Sequence, residues 1–318
     1  MSELVVRSTQ DARLNWDYEP SDTRTASLYQ RAKQAQWSVD EIDWQLDVPF
    51  GAPLPDDSTF AMAGFAASPL APRGRLAWDE FRWELQAWMV SQFLHGEQAA
   101  MVVAARLVEI VSGLDSKLYA ATQAVDEARH VEVFSRYLRE KIQRPYPISE
   151  PLELLLTDIL EDNRWDVISL GMQIMVEALA MAAFRLAHST FHDPLIKQIT
   201  GLVARDEARH VSFGVLTLRG LYDEMTSRER TEREELVLES AALIRRRFLL
   251  GDIWERMEIP MTEGLDFAAR NELMVAYRQA IFSRVGRALD QIGLMTPRVR
   301  DGLVRLDLIQ FVEGRRGG

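Results

Sequence analysis

The chain has 318 residues, 47% of them apolar, and a formal net charge of −11. That is ample material for one large core or two smaller ones. The acidic balance argues against a phosphate-binding face of clustered Lys and Arg, so no nucleic-acid partner is expected, and the short run Arg245–Arg246–Arg247 reads as one solvated helix turn. Cysteine is absent, which excludes disulfides and thiolate ligands. Any metal must then be held by Glu, Asp, His or backbone oxygen, a donor set suited to iron or manganese.

In chain order, the N-terminus carries Glu3, Arg7, Asp11, Arg13 and Asp17 with no apolar run between them. It does not read as a secretory signal, and a cytoplasmic location is expected. Ser38 with Glu41 three residues on is a capping-box signal for a short helix. Pro and Gly concentrate between Pro49 and Gly74, which predicts irregular wrapping chain. From Ala77 onward apolar residues recur at three- and four-residue spacing, predicting helices over 78–112, 116–142, 151–189 and 194–224, the last opened by Asp193–Pro194. Two more follow at 228–257 and 264–293. No alternating strand pattern stands out. The expectation is an all-α chain, a single domain over 1–318. It has an N-terminal wrapping segment (1–76), a four-helix core (77–224) and C-terminal helices (225–318). The stretch from Asp166 to Arg185 is long enough to span a membrane. Gln173 and Glu177 interrupt it, however, and a core helix of a bundle accounts better for the buried Glu, so no span is expected.

One repeat organises the core. The hexapeptide Asp-Glu-Ala-Arg-His-Val occurs at 126–131 and again at 206–211, 80 residues later, and Glu97 and Glu177 are separated by the same 80. Each half is a Glu on one helix and a Glu-x-x-His on the next, so two helix pairs form a four-helix bundle with pseudo-twofold symmetry. Positions i and i+3 share a helix face, so Glu127 points with His130 and Glu207 with His210. Glu97 is flanked by Val90, Phe93, Leu94, Met101 and Ala104, and Glu177 by Leu170, Ile174, Ala180, Met181 and Phe184. An ionised carboxylate in such a stripe costs several kcal/mol unless it is paired. Two divalent ions would balance the four carboxylates, with two neutral imidazoles completing the shell. The expected ligands are Glu97, Glu127, His130, Glu177, Glu207 and His210. His95, His188 and His192 are expected to be structural or solvated. Asp126 and Asp206 are either solvated acids beside Arg129 and Arg209 or acceptors that orient a ligand imidazole, the second role suiting Asp206 better.

At these residues the chain resembles the ferritin-like di-metal carboxylate superfamily. Within it the resemblance is to the ribonucleotide reductase small-subunit group and its branch of ligand-binding Mn/Fe oxidases. The likeness runs from about Leu14 to the sixth helix. It rests on Trp37-Ser-Val-Asp-Glu-Ile-Asp43, the Glu97 helix, both Asp-Glu-Ala-Arg-His segments and Val176-Glu177-Ala178. It implies a Trp–Asp–His chain through Trp37, Asp206 and His130. The radical Tyr of most reductase subunits falls at Phe134, and the last Tyr is Tyr277, followed by a tail ending Glu-Gly-Arg-Arg-Gly-Gly. The Val–Tyr crosslink of the ligand-binding oxidases falls at Ala99 and Met172, which cannot form it.

The leading expectation is an O₂-activating dinuclear oxidase or oxygenase, with an Fe/Fe or Mn/Fe pair. The substrate would be small, apolar or amphipathic, an acyl chain or an aromatic acid, because few fixed polar groups remain near the ligands. Ala100, Met101, Gly171, Met172, Met175, Met181 and Gly214 either line an apolar tunnel or simply pack. Ala180 and Phe184 are read as pocket wall. An electron-donor protein and a homodimer are expected partners. The alternatives are a radical-generating reductase-like subunit, which the missing tail Tyr disfavours, and a non-catalytic iron-handling protein, which would not need the long extensions on either side of the core.

Overall fold

The structure, a computed structural model, describes residues 5–6, 11–19, 22–51 and 59–310. Among these there is no β-strand, and the chain is all-α as expected. Helices α1 (Thr23–Gln34) and α2 (Thr59–Ala66) precede the core. The core consists of α3 (Arg75–Ile110), α4 (Leu114–Tyr137), a composite helix and α8 (Pro194–Leu218). The composite helix runs from α6 (Trp165–Ser169) through a π-helical segment, Leu170–Val176, into α7 (Glu177–Thr190), with α5 (Glu150–Glu161) before it. After the core come α9 (Ser227–Arg247), α10 (Gly251–Arg256), α11 (Met261–Arg270), α12 (Glu272–Ile292) and α13 (Pro297–Arg305). The helices α3 and α4 pack together as one pair and α7 and α8 as the other; α1 lies across α4 and α8, and α12 closes over α7.

Several expected helices are corrected by local chemistry. The single helix expected at 151–189 is broken after Glu161, where Asp162 turns extended (ψ 149°) and its carboxylate accepts the Arg164 amide at 2.7 Å. This side-chain turn competes with helical continuation. The helix expected to reach 224 stops at Leu218, before Gly220 with φ 80°. The span 228–257 is divided at Leu250, which has φ 58°, and 264–293 at Asn271, whose side chain caps α12 by accepting from the Leu273 amide. Ser38 caps only one 3-10 turn, Val39–Glu41, through the Asp40 amide, and no full capping box forms there. The sequence reading also missed α1, α2 and α13. Of these, α1 is fixed by Asp22, whose carboxylate accepts from the amides of Arg24 and Thr25. Glu3, Arg7, Pro53, Pro55 and the tail 311–318 lie outside the described residues.

The core is divided in two. One apolar cluster gathers Val103, Leu107, Leu155, Met172 and Val215 with the C-terminal helices, and the other gathers Val90, Val133, Phe134, Phe184 and Val203. On α3, α4 and α8 the acidic and histidine residues of the repeat fall between the two clusters, and on the composite helix Glu177 lies within the first. The stretch Trp165–Thr190 has a mean hydropathy of 1.8 over its most apolar window, and 83% of that window is buried inside the bundle.

Candidate metal centre

All six expected ligands are buried and face one another. Their donor atoms form two groups, Glu97–Glu127–His130–Glu207 and Glu127–Glu177–Glu207–His210, in each of which the atoms lie within 4.8 Å of one another. Glu127 and Glu207 belong to both groups, so either ion, if bound, would lie within reach of them. Glu97 and His130 belong to one side, Glu177 and His210 to the other. The His130 Nδ1 is 3.1 Å from an oxygen of both Glu97 and Glu127, and the His210 Nδ1 is 3.0 Å from Glu127 Oε1.

The residues fit a pair of cations. Both Glu207 oxygens, Glu177 Oε2 and His210 Nδ1 are buried with no hydrogen-bond partner among the described residues. His210 Nδ1 is near a carboxylate oxygen without hydrogen-bond geometry, so these lone pairs converge on a shared space rather than on each other. Orphaned acceptors at this density cost too much to persist unless something positive sits among them. Burial pushes the Glu97 and Glu177 carboxyls well above the usual range, and Glu207 adds to both shifts. For Glu127 burial opposes ionisation but is outweighed by the neighbouring His210 and His130 imidazoles, so its carboxyl is held low. Burial works against charge on His130 and His210 as well. Asp206 and the surrounding glutamates outweigh it at His130, and Glu127 and Glu207 outweigh it at His210, so both are held high.

An outer layer orients the imidazoles. His130 Nε2–H donates to Asp206 Oδ2 at 3.2 Å, and Trp37 Nε1–H donates to the same oxygen at 2.8 Å, which joins the three residues that the resemblance placed in a chain. The arrangement is mirrored: His210 Nε2–H donates to Asp126 Oδ2 at 3.2 Å, and Gln36 Nε2–H donates to Asp126 Oδ1 at 3.0 Å. Asp126 thus orients an imidazole as fully as Asp206 does, which the sequence reading ranked lower. Each Asp serves the His of the other repeat. Arg129 and Arg209 each pair with both aspartates and seal the layer. Donation from Nε2 fixes the tautomer and leaves Nδ1 free to ligate.

Two residues of the centre were not assigned to it from the sequence. Gln123 Nε2–H donates to Glu177 Oε1 at 2.8 Å, and Gln173 Nε2–H donates to Gln123 Oε1 at 3.2 Å. Gln123 precedes Glu127 by one helical turn, which was the available clue. Gly214 admits Gln173: a Cβ at 214 would lie 2.7 Å from the Gln173 Cβ. The histidines outside the centre behave as expected. His95 contacts the Tyr146 carbonyl at 3.0 Å, His188 the Lys197 carbonyl at 2.7 Å, and His192 is exposed.

A mostly apolar cavity of about 90 Å³ opens onto the centre at Glu97, Glu177 and Glu207. Of the small and flexible residues suggested by sequence as a tunnel, only Ala100 lines it. Met172 and Met175 are packed in the core, and Gly171 is held against Ile159, where a Cβ would lie 2.6 Å from Cγ1. Ala180 is cavity wall, but Phe184 is not: it packs with Phe93 and Phe134 at ring distances of 4.6 and 5.6 Å.

With this geometry in place, the family model described as p-aminobenzoate N-oxygenase AurF matches residues 99–293. The chain belongs to the AurF family. The match includes five of the six clustered donors, with Glu97 just before its start. Among solved structures, a Gly-to-Leu variant of an R2-like ligand-binding oxidase with an aerobically reconstituted Fe/Fe cofactor superposes with a TM-score of 0.56. It is 17% identical, over 87% of this chain and 94% of that one. A Gly-to-Phe variant with an Mn/Fe cofactor covers 87% and 96% at 17% identity and a TM-score of 0.49. The first of these shows a shared ferritin-like fold. No curated protein matches in sequence. Membership of the AurF family, together with a buried Glu/His cluster able to hold two ions, makes this chain a di-metal oxidoreductase of the oxygenase or oxidase kind.

Proposed function

We propose that Glu97, Glu127, His130, Glu177, Glu207 and His210 hold two ions, Fe/Fe or Mn/Fe, and that the chain oxygenates a small amphipathic molecule bound in the adjoining cavity. The carrying observation is the convergence of six buried donors, several with unpartnered lone pairs, at the one end of an apolar cavity. When bound, such a pair supplies O₂ activation. The chain's own residues do the rest. Asp126 and Asp206 hold the imidazoles, Gln123 steadies Glu177, and the apolar wall excludes water while leaving the substrate few polar contacts. The AurF description supports an aromatic amine with an acid group as the first substrate to try. A separate protein would donate electrons. Exposed Val102, Leu118 and Val125 on α3 and α4 support pairing with a second copy.

The test is metal analysis of protein from iron- and manganese-replete cells, followed by O₂ uptake with a chemical reductant and 4-aminobenzoate. About two ions per chain are expected, falling in Glu127→Ala and Glu207→Ala. Zinc alone, or one ion at full loading, would overturn the dinuclear reading.

A further inference from the structure

The cavity beside the metal centre is closed on most sides by buried side chains, among them Trp88, Met89, Phe191 and Phe248. Leu273, at the start of α12, is only half-buried and lines two spaces at once. On its inner side is the cavity. On its outer side is a groove of about 430 Å³ between α2 and the joint of α11 and α12. Ala63, Gly64, Ala67 and Phe267 wall the groove, and the exposed Asp266–Arg270 ion pair, at 3.0 Å, stands at its rim. The frame around Leu273 is fixed. Asn271 accepts its backbone amide at 3.0 Å, Phe65 of α2 packs on Trp78 of α3 with ring centroids 5.5 Å apart, and Arg75 donates to the Met62 sulfur at 3.0 Å. Gly64 stands opposite: a Cβ there would lie 3.0 Å from Leu273 Cδ2 and 3.7 Å from its Cβ. The Leu273 side chain therefore rests in the niche that a side chain at 64 would fill.

A cavity walled in this way needs an entrance, and close packing leaves few parts that can move without unpacking the core. A side chain that is not fully enclosed changes rotamer within picoseconds to nanoseconds, far faster than a helix shifts. Resting on the reading of this cavity as the substrate site, we propose that the substrate enters through the groove between α2 and α12, and that Leu273, opposite Gly64, is the gate between solvent and the cavity. In its present position the isobutyl group separates the two spaces, and a rotamer change of this one side chain joins them. The backbone stays still, because Asn271 caps α12 and α2 is held on α3. The passage suits a small, largely apolar body, since Ala63, Ala67 and Phe267 outside the gate and Leu85 and Met274 inside it are apolar. Leu273 is not one of the clustered metal donors, so it sets the rates of entry and exit and not the affinity.

The test uses the metal-loaded full-length protein, with metal content measured on every sample. Stopped-flow quenching of tryptophan fluorescence by nitrobenzene and by 4-nitrobenzoate, a neutral and an acidic probe, reads entry and exit, since Trp88 lines the cavity. Leu273→Ala should speed both rates and Gly64→Leu should slow both, each by roughly tenfold, the scale of one overpacked contact, with Kd little changed and metal content constant. Should Gly64→Leu melt early, Leu273→Cys gives a second route, because the chain has no other thiol. A bulky mixed disulfide formed there with benzyl methanethiosulfonate should slow both rates, and reduction should restore them in the same sample. Entry unchanged in Leu273→Ala and in the blocked Cys variant, entry faster in Gly64→Leu, or changes confined to Kd would overturn the gate while the cavity stands as the substrate site. No saturable quenching by either probe in the unmodified protein would instead remove the reading on which the gate rests.

Discussion

His210 rests on Asp126 through a 3.2 Å hydrogen bond that links residues 84 positions apart and crosses from one repeat to the other. The same crossing joins His130 to Asp206. Replacing the Asp that orients a ligand imidazole typically costs about 10- to 100-fold in metal affinity. Asp126→Asn should weaken the ion on the Glu177–His210 side, and Asp206→Asn the ion on the Glu97–His130 side. Competition with a chromophoric chelator reads both constants. Unchanged affinity in Asp126→Asn would return that residue to the role of a solvated acid.

The metal-free centre should be most stable at mildly acidic pH. Glu97 and Glu177 have folded-state pKa values raised by burial, so as pH rises above about 4.5 they hold protons that the unfolded chain has released. His130 and His210 are also held high by the surrounding carboxylates. Their stabilisation is complete below the unfolded value of 6.5 and is lost as pH rises through the folded value. Both effects have the same sign, and Tm of the metal-free protein should fall as pH rises above 6.5. Loaded protein should not share the decline, since bound cations replace the protons. Parallel melting curves for the two forms would contradict this account.

Phe134 is buried between Phe93 and Phe184, with ring distances of 5.8 and 5.6 Å, and cannot yield a phenoxyl. Electron paramagnetic resonance after O₂ exposure of the reduced protein should show no stable tyrosyl radical, and Phe134→Tyr serves as comparison. A strong signal in the unmodified protein would point to Tyr137, which donates its hydroxyl to Asp193, rather than Tyr119, whose buried hydroxyl has no hydrogen-bond partner among the described residues.

Ala180 and Phe184 are one helical turn apart but face different surroundings. Ala180→Phe should narrow the cavity and alter the relative turnover of acids of different bulk while metal content stays at about two. Phe184→Ala should lower stability by about 3–5 kcal/mol through loss of aromatic packing, without widening the cavity. Relative rates unchanged in Ala180→Phe would show that this wall does not meet the substrate.

The buried Glu/His cluster was legible because it is written twice, at the same 80-residue spacing, on helices whose periodicity fixes which side chains share a face. The helix breaks were less so. Asp162 and Asn271 stop helices by accepting nearby amides, and Leu250 takes a left-handed backbone that few side chains favour. Each is decided by a local competition that apolar periodicity does not register. Gln123 and Asp126 were undervalued for a related reason. Their roles depend on what stands opposite on another helix, Glu177 in one case and His210 in the other. The cavity was least legible of all, since Arg247 and Tyr277 come from helices outside the repeat.

The π-helical segment Leu170–Val176 ends in a bond from the Glu177 amide to the Met172 carbonyl, five residues back. A turn of that width carries one residue more than an α-helix needs. Expelling that residue would rotate everything beyond it by about a quarter turn about the axis, on the geometry of 3.6 residues per turn. Val176 and Ala180, on the same stretch, form part of the cavity wall. A change in that turn would therefore move the cavity wall and the Glu177 carboxylate together.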